Sequence, residues 1–578
     1  MEYKEKKEPS LHSTWGIHDV GPPNANEHAK HISRKLNRRQ VQMYSIGGVS
    51  ICFTFRACLT IWKVIGTAVF ITLGKQNTEA GPLFLLLGYS FWSCIIYLVN
   101  ECVAVPTSRL PVENAFVDFA VRYVSPGVGM SIGYNYFLGM VCSSSWVSNS
   151  TNFHKIGLLC FEITNFGNVI DFWTSEPLHP AILTSVCIVT YALIHCWDSR
   201  WFGESEFWIV LVKILLLILC LFYTLCTMCG ANPLHDTYGF RYWRDPGPVV
   251  GTTRSEQLRA FLSALLGASF AVAGPDMLSI ISGEARDPRR VMPIAFRTVF
   301  VRLFVFFVLS TLAVGIVISS EDQILLDAIN NDSAGAAQSP YVASMIRLKV
   351  SVFPHLVYLA IATSIYSAGS AFFFNSARTL HGLAMKGMGP PVFKRVNRNG
   401  VPYVTVVVTI AFACLSYLQV GNGSAKVLDW FIGRLRGIST AAQLITWCVM
   451  CVTYIRWQKA MEVQGLWYTE ELPYTSKFLP WGAWLALFCA TIVTLINGYT
   501  VFLDGGWDIA DFIFAYFSPI CFVVLALVYS IIKREGLVSP ENADLHSGMR
   551  EIEEHENTLL QSDIVHTNVM KRTFNWIL

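Results

Sequence analysis

The chain has 578 residues and a net charge of +3, and 53% of its residues are hydrophobic while only 14% are charged. With a mean hydropathy of +0.44, this composition favours an integral membrane protein over a string of soluble domains. The small net charge gives no support to nucleic acid as a partner.

Apolar runs of membrane-spanning length follow one another from residue 46 to residue 532. Because a bilayer core is crossed by about 20 apolar residues in helical form, we predict an all-α polytopic membrane protein with about twelve transmembrane helices in residues 41–532. Residues 1–40 form a predicted disordered tail, and residues 533–578 form a second tail. The predicted spans are 46–73, 83–105, 127–163, 181–196, 206–228, 258–282, 299–319, 351–377, 401–418, 429–455, 478–502 and 509–532.

The distribution of lysine and arginine predicts the orientation in the bilayer. Basic clusters follow the sixth predicted span at 286–297 and the eighth at 386–398, whereas the opposite loops carry few positive charges. The positive-inside rule therefore places both tails in the cytosol. Two glycosylation sequons, at Asn331 and Asn422, fall in loops that this topology places outside.

The 16 cysteines lie mostly within apolar runs and lack the spacing of metal ligands. We therefore expect no disulfide, no metal site and no cofactor. An enzyme is disfavoured because no pair of a nucleophile and a base lies near the helix interruptions described next. A channel is disfavoured because no filter sequence is visible.

Glycine and proline interrupt the first and the sixth predicted spans. The first contains Ile-Gly-Gly at 46–48 and Ile-Gly-Thr-Ala at 65–68, and the sixth contains Gly-Pro within 270–276. In hydrocarbon, a backbone leaves helical geometry only where protein or a water-filled cavity satisfies its polar groups. Two inverted five-helix repeats place breaks five helices apart, so we predict a five-plus-five core with two extra helices.

The interruptions predict a binding site for a small zwitterion in the middle of the bilayer. Half-helix N-termini present N–H groups to a carboxylate, and unwound carbonyl groups accept hydrogen bonds from an ammonium group. The alternative is that these glycine and proline residues serve only helix packing or kinking, because membrane helices tolerate both.

Three ionisable residues within or at the edge of spans are candidates for function. Lys213 lies about nine residues, or roughly 13 Å, inside the fifth span and therefore near the midplane. An ionisable side chain at this depth is functional by default, and the alternative is that it snorkels to an interface. Glu162 and Asp276 are candidates for contacts with a substrate or a proton.

Six segments carry a family resemblance that extends from residue 36 to the last span. They are RWFGESEFW at 200–208 with Lys213 after it, NPLHD at 232–236, GFRYW at 239–243, SGEARDPRR at 282–290, SARTL at 376–380 and NGVP at 399–402. In this order they resemble the fungal amino acid permeases, the yeast amino acid transporter family of the amino acid, polyamine and organocation superfamily. The resemblance implies a twelve-helix importer of amino acids across the plasma membrane, driven by the proton gradient and built on the five-plus-five repeat.

The resemblance also implies which residues form the site. The first and sixth helices would bind the substrate's carboxylate and amine, and Lys213 would be the proton-linked lysine, with Glu162 as a second candidate for proton coupling. Many relatives carry glutamate where this chain has Asp276, so the polar contact here is expected to be shorter. The implied substrate-binding residues are Gly47, Gly48, Ile65, Gly66, Thr67, Phe270, Ala273, Gly274 and Asp276.

The first helix departs from the family pattern. Residues 49–64 separate Gly48 from Ile65, whereas family members have at most one residue at this place. The surplus is 49–63, and its codons can contain a splice donor, a branch site and an acceptor, so we hypothesise that it is translated intron. A second surplus falls near 145–159, and a smaller one near 433–436 brings two arginines into the tenth span.

Two functions from different classes fit the sequence. The favoured one is a secondary transporter that carries an amino acid and a proton into the cell together. The alternative is a transporter-like sensor that binds amino acids and signals through its tails, although modest tails favour transport. A third possibility is a chain that does not transport because its first helix is split. The sequence does not indicate which amino acid is carried.

Overall fold

A computed structural model describes residues 72–141, 158–170, 173, 179–285, 287–330, 339–350, 352–420, 424–467, 472–503 and 507–558. Across these residues the secondary structure is helical, and they contain no β-strand. The predicted all-α fold class is therefore confirmed. The tail 1–40, the surplus 49–63 and nearly all of the first predicted span lie outside the described residues.

The described residues form a succession of α-helices, with a long loop at 229–253. The helices are α1 Leu73–Arg109, α2 Ala115–Phe119, α3 Pro126–Val141, α4 Leu158–Ile170, α5 Pro180–Trp197, α6 Ser199–Met228, α7 Arg254–Ala271, α8 Pro275–Ile281, α9 Pro288–Arg297, α10 Val299–Arg302, α11 Leu309–Val317, α12 Gln323–Asn330, α13 Pro340–Arg347, α14 Phe353–Met385, α15 Tyr403–Ala413, α16 Ser424–Val463, α17 Trp481–Ile496 and α18 Ile509–Lys533. π-Helical turns lie at Ala120–Val124 and Leu303–Val308, and 3₁₀ turns lie at Arg241–Trp243, Ser282–Glu284, Pro391–Lys394, Cys414–Val420, Tyr499–Phe502 and Pro540–Asn542.

Within the described part of the chain, 7 stretches are long and apolar enough to cross a membrane. Two shorter apolar helices, Tyr403–Tyr417 and Trp481–Ile496, accompany them. The seven stretches are Leu73–Arg109, Pro180–Trp197, Trp201–Met228, Arg254–Glu284, Pro288–Val317, Phe353–Met385 and Ala515–Lys533. The protein is therefore a multi-pass helical membrane protein.

Helix α6 shows how the bundle faces its surroundings. Trp208, Leu215 and Phe222 recur every seventh residue on one face and are exposed, whereas Lys213 and Cys220 are buried on another. This distribution is the reverse of a helix at a water-exposed surface, where polar residues point outward. A hydrocarbon environment accounts for it.

Helix α1 corrects the loop that the sequence predicts between the first and second spans. Residues 73–80 are helical, and Gln76 and Asn77 are buried despite their polarity. The chain then turns at Gly81, whose φ of +80° favours glycine and whose added Cβ would lie 2.9 Å from the carbonyl oxygen of Pro248. The sequence of this segment is polar and therefore resembles a loop. Its polar side chains are nevertheless accommodated, because Asn77 and Glu79 bond to Ile318 and Ser263, which are distant in the sequence.

The third predicted span, 127–163, contains two helices in the structure. Helix α3 ends at Val141 and α4 begins at Leu158, and residues 142–157, which include most of the second surplus, lie outside the described residues. Helix α4 continues to Ile170, so the predicted loop at 164–180 starts too early. Its Thr-Asn-Phe-Gly-Asn sequence is typical of a loop, yet Asn165 is buried in the bundle.

Candidate functional site

The sixth predicted span is interrupted where the sequence predicts it. Helix α7 ends at Ala271, residues 272–274 leave helical geometry, and α8 starts at Pro275. Gly274 has a φ of +141°, which L-residues with a side chain rarely adopt, and Pro275 has no N–H to offer a continuing helix. Residues 272–275 are all buried, so the interrupted backbone faces protein.

Asp276 lies in the first turn of α8 and is buried completely. The hydroxyl of Tyr136 in α3 donates to its Oδ2 (2.7 Å), and the indole Nε1 of Trp447 in α16 donates to its Oδ1 (3.4 Å). Three helices that are distant in the sequence therefore meet at one carboxylate. The backbone N–H groups of Gly274 and Asp276 also act on this carboxylate, so the unwound turn itself helps to hold it.

Arg302 lies against the same interruption. It is the last residue of α10, and its buried guanidinium donates from Nη2 to the carbonyl oxygen of Ala273 (3.1 Å). It also covers Gly274, where an added Cβ would overlap both Nη atoms. A π-helical turn, a feature frequent at functional sites, begins at the next residue. Sequence analysis did not single out Arg302, although an arginine within the apolar run 299–319 was the available signal.

Asp276 and Arg302 thus bring opposite charges to one unwound turn. The carboxylate acts electrostatically on the guanidinium, yet the two form no salt bridge with each other. Each is instead held by neutral groups, the carboxylate by Tyr136 and Trp447 and the guanidinium by a backbone carbonyl. Separated opposite charges in a buried site match the two poles of a zwitterion.

A second buried cluster surrounds Lys213. Its Nζ donates to Oγ of Ser367 in α14 (2.9 Å), and that hydroxyl in turn donates to Oε1 of Glu206. Glu206 precedes Lys213 by seven residues, about two helical turns, so α6 presents both side chains to α14. The hydroxyl of Ser367 can link them because it accepts one hydrogen bond and donates another. Lys213 does not snorkel, since it is fully buried.

Glu162 approaches this cluster from α4. It is buried, and both Glu162 and Glu206 act electrostatically on Lys213. Gly369 of α14 leaves room for Tyr191 and Glu162, because an added Cβ there would overlap the hydroxyl of Tyr191 and lie 3.3 Å from the Cβ of Glu162. One lysine and two carboxylates are therefore gathered between three helices. Sequence analysis did not assign Glu206 or Ser367 to the site; the seven-residue spacing was a signal for Glu206 alone.

A third feature fixes the far end of the interrupted helix. The 3₁₀ turn Ser282–Glu284 follows α8, and Nε of Arg378 in α14 donates to Oε1 of Glu284 at 2.5 Å. Both side chains are buried. This ion pair joins α8 to the helix that also carries Ser367, so the two buried clusters share a structural element.

The predicted site residues divide between these places. Ala273, Gly274 and Asp276 form the interruption, and Phe270 lies half-buried in the last turn of α7. Lys213 and Glu162 meet in the second cluster. The predicted residues of the first helix, Gly47, Gly48, Ile65, Gly66 and Thr67, lie outside the described residues.

Comparison with known proteins identifies the family of the chain. A sequence model of the family described as amino acid permease matches residues 57–539. The chain belongs to the amino acid permease family. The predicted family resemblance is therefore confirmed, and the chain is grouped with permeases and not with enzymes.

Several curated relatives of this permease match it over most of their length. The general amino acid permease AGP2 of Saccharomyces cerevisiae is 35% identical over 534 residues, which cover 90% of this chain and 83% of the relative. The proline-specific permease of Emericella nidulans is 29% identical and is matched over 99% of this chain and 98% of its own length. The probable proline-specific permease put4 of Schizosaccharomyces pombe is 30% identical, with coverages of 89% and 90%.

Among solved structures, the manganese transporter of Eremococcus coleocola is similar to this permease with a TM-score of 0.49 and 13% identity. The alignment covers 91% of this chain and 99% of the transporter. A score this low does not establish a shared fold.

Proposed function

We propose that the permease carries amino acids together with protons across the plasma membrane into the cell, with both tails in the cytosol. Relatives named as general, proline-specific and lysine-specific permeases support amino acids as the substrate class. The proposal depends on one observation: a membrane helix is interrupted at residues 272–274, in protein, beside the separated charges of Asp276 and Arg302. A dipolar solute needs such groups, since hydrocarbon offers partners to neither of its poles.

The same proposal includes twelve helices, a five-plus-five inverted repeat and a second interruption in the first helix. The residues of that interruption, from Gly47 to Thr67, lie outside the described residues. Residues 73–80, which follow it, support the proposal because they pack on α7: Gln76 lies against Gly267, and Ser263 donates to Glu79 (2.6 Å). Two half-helices adjacent to each other are the arrangement that a shared binding site requires.

We assign proton coupling to the Lys213 cluster. The hydrogen-bonded series Lys213, Ser367 and Glu206 offers a path from an ammonium group through a hydroxyl to a carboxylate. Loss or gain of one proton changes the charge balance among Lys213 and Glu206 on α6 and Glu162 on α4, which meet beside Ser367 of α14. A change of this kind favours one packing of those helices over another, and this coupling links protonation to the transport cycle.

Uptake measurements test the proposal. A panel of labelled amino acids is offered, at two external pH values, to yeast cells that lack their own permeases and express this chain. We expect uptake of at least one amino acid, faster at the lower external pH and accompanied by acid influx that depends on the substrate. Asp276→Asn, which keeps the shape but removes the charge, should reduce this uptake at equal surface expression.

The alternatives give different results in the same cells. Binding of labelled amino acids without uptake would favour a sensor over a transporter. Deletion of codons 49–63 tests the split first helix: uptake only after the deletion would show that the surplus prevents transport. Mature transcript that retains those codons would refute the intron hypothesis.

A further inference from the structure

The strongest unexplained feature of the interruption is the charge of Arg302. A guanidinium has five N–H donors, yet among the described residues one acceptor, the carbonyl oxygen of Ala273, serves it, and its Nε has none there. Its side chain is only 2% exposed, so water does not supply the remaining acceptors at its surface. A buried cation whose donors are only partly used among the described residues is suited to bind an anion.

The obvious resident partner is already engaged elsewhere. Asp276 is the carboxylate that acts on Arg302, but Tyr136 and Trp447 hold it and no salt bridge forms. A structural ion pair would close this gap, as Glu284 and Arg378 do at 2.5 Å. The separation between Asp276 and Arg302 therefore serves something other than their mutual contact.

We propose that Arg302 binds the carboxylate of the transported amino acid, while Asp276, which Tyr136 and Trp447 hold in place, binds its ammonium group. This inference rests on the proposed function and names the residue that selects for a free carboxylate. The planar guanidinium suits the task because it binds a carboxylate through two parallel hydrogen bonds. Gly274 contributes by lacking a side chain, since a Cβ would occupy the space of the Nη atoms.

The position of Arg302 on α10 also explains how binding can move the helices. The guanidinium is bonded to the unwound backbone at Ala273, so a substrate carboxylate bound to it ties α10 to the joint between α7 and α8. A substrate without a carboxylate leaves that tie incomplete. Selectivity and closure of the site would then depend on the same side chain.

The test compares an amino acid with its own carboxamide. The tracer is the labelled amino acid with the highest uptake in the panel above, and the competitors are the same amino acid unlabelled and its carboxamide, in which the carboxylate is replaced by a neutral amide. The measured quantity is the ratio of the two inhibition constants. This ratio does not depend on how much protein reaches the membrane. The variants are Arg302→Met, Arg302→Lys and, as a matched control, Arg290→Met, which removes an arginine whose side chain is 68% exposed.

In the unaltered permease we expect the carboxamide to inhibit at least about 10-fold more weakly than the amino acid, because a charge-assisted hydrogen bond is lost. Arg302→Met should weaken inhibition by the unlabelled amino acid by about 10- to 100-fold and bring the ratio of the two inhibition constants close to one. Arg302→Lys should give an intermediate ratio. Arg290→Met should keep the original ratio.

Several outcomes would overturn the inference. An unchanged ratio in both Arg302 variants, with only slower maximal uptake, would assign Arg302 a purely structural role at the break. If Arg302→Met abolishes transport, the ratio is measured by displacement of the tracer from the purified Arg302→Lys variant. A ratio equal to that of the unaltered permease would then reject the inference. Absence of uptake of every amino acid by the unaltered permease would instead refute the proposed function itself, and this inference with it.

Discussion

Gly274 is required by two separate constraints, backbone conformation and space. Its φ of +141° strains any residue with a side chain, and an added Cβ would overlap the guanidinium of Arg302. We predict that Gly274→Ala reduces the maximal rate of uptake at least about tenfold, because strain of this kind costs about 1–3 kcal/mol before the overlap is counted. Uptake and surface expression measured together test this.

The matched control for this prediction is Gly247→Ala. Gly247 has a similar φ of +131° but nothing within 4 Å of an added Cβ. It therefore carries the strain without the overlap, and it lies in the loop before α7, outside the break. Equal losses in the two variants would show that Arg302 plays no part in the requirement for Gly274.

Ser367 is the next residue whose role can be isolated. Ser367→Ala removes the hydroxyl that joins Lys213 to Glu206, and the buried ammonium group of Lys213 loses a hydrogen bond, at about 1–3 kcal/mol. We predict uptake that responds less to external pH and brings less acid into the cell for each amino acid. Ser367→Thr, which keeps a hydroxyl, should retain most of the coupling.

A serine of the same helix provides the comparison for Ser367. The hydroxyl of Ser376 donates to the backbone of its own helix at Phe372 (2.7 Å), so Ser376→Ala should leave the acid influx per amino acid unchanged. Full coupling in Ser367→Ala, or equal loss in Ser376→Ala, would contradict the role given to the Lys213 cluster.

At the level of single residues, the sequence predicts what depends on local chemistry. Pro275 and Gly274 identify the break because their backbone properties do not depend on distant partners. Lys213 is identified by its depth in an apolar run. Ser367 could not be found in this way, since serine is ordinary in membrane helices and its partners lie 154 and 161 residues away.

At the level of elements, the ion pair between Glu284 and Arg378 connects the half-helix α8 to α14. Both side chains are buried, and Arg378 also lies over the ring of Phe374, 4.4 Å from its centroid. Removing one partner leaves an uncompensated buried charge, at about 3–5 kcal/mol. We predict that Glu284→Gln and Arg378→Met each lower the melting temperature of the purified permease.

The double variant distinguishes the charge effect from the loss of contacts. With both charges removed, the uncompensated charge is absent, so Glu284→Gln combined with Arg378→Met should be more stable than either single variant. Thermal unfolding of all four proteins in one detergent measures this. Simple addition of the two single losses would mean that the two side chains do not act as a pair.

Element boundaries were less predictable than the existence of elements, for a physical reason. Residues 73–80 and 164–170 include polar side chains that are buried in the bundle, such as Asn165 and Asn77, whose Nδ2 donates to the carbonyl oxygen of Ile318 (3.4 Å). Hydropathy detects contact with lipid, and these turns face protein. The predicted spans therefore end where lipid contact ends, although the helices continue.

At the scale of the whole molecule, the chain after α18 returns to the bundle. The carbonyl oxygen of Leu545 accepts from Arg109 (2.6 Å), and Gln464 donates to the carbonyl oxygens of Pro540 (3.0 Å) and Ala543 (2.9 Å). Leu545 is fully buried. Residues from two distant parts of the sequence, Arg109 and Gln464, thus hold one terminal segment, which extends the packed molecule beyond the last membrane helix.

The terminal segment gives a prediction with a defined pH dependence. Partial burial alone would raise the pKa of Asp544, but the backbone N–H of Ser547 and the charge of Arg122, whose Nη1 lies 3.0 Å from Oδ2, outweigh it and hold the pKa below its ordinary value. A carboxyl with a lowered pKa stabilises the folded state above its ordinary pKa, and this contribution is lost as the pH falls through the lowered value.

Asp544→Asn should therefore speed hydrogen exchange in residues 538–556 by about 2- to 10-fold at pH 7, a modest effect because the carboxylate is partly exposed. The difference from the unaltered permease should disappear at acidic pH, while Glu554→Gln, in an exposed pair with Arg550, should leave exchange unchanged. Equal exchange in Asp544→Asn and the unaltered permease at pH 7 would mean that this carboxylate does not hold the segment.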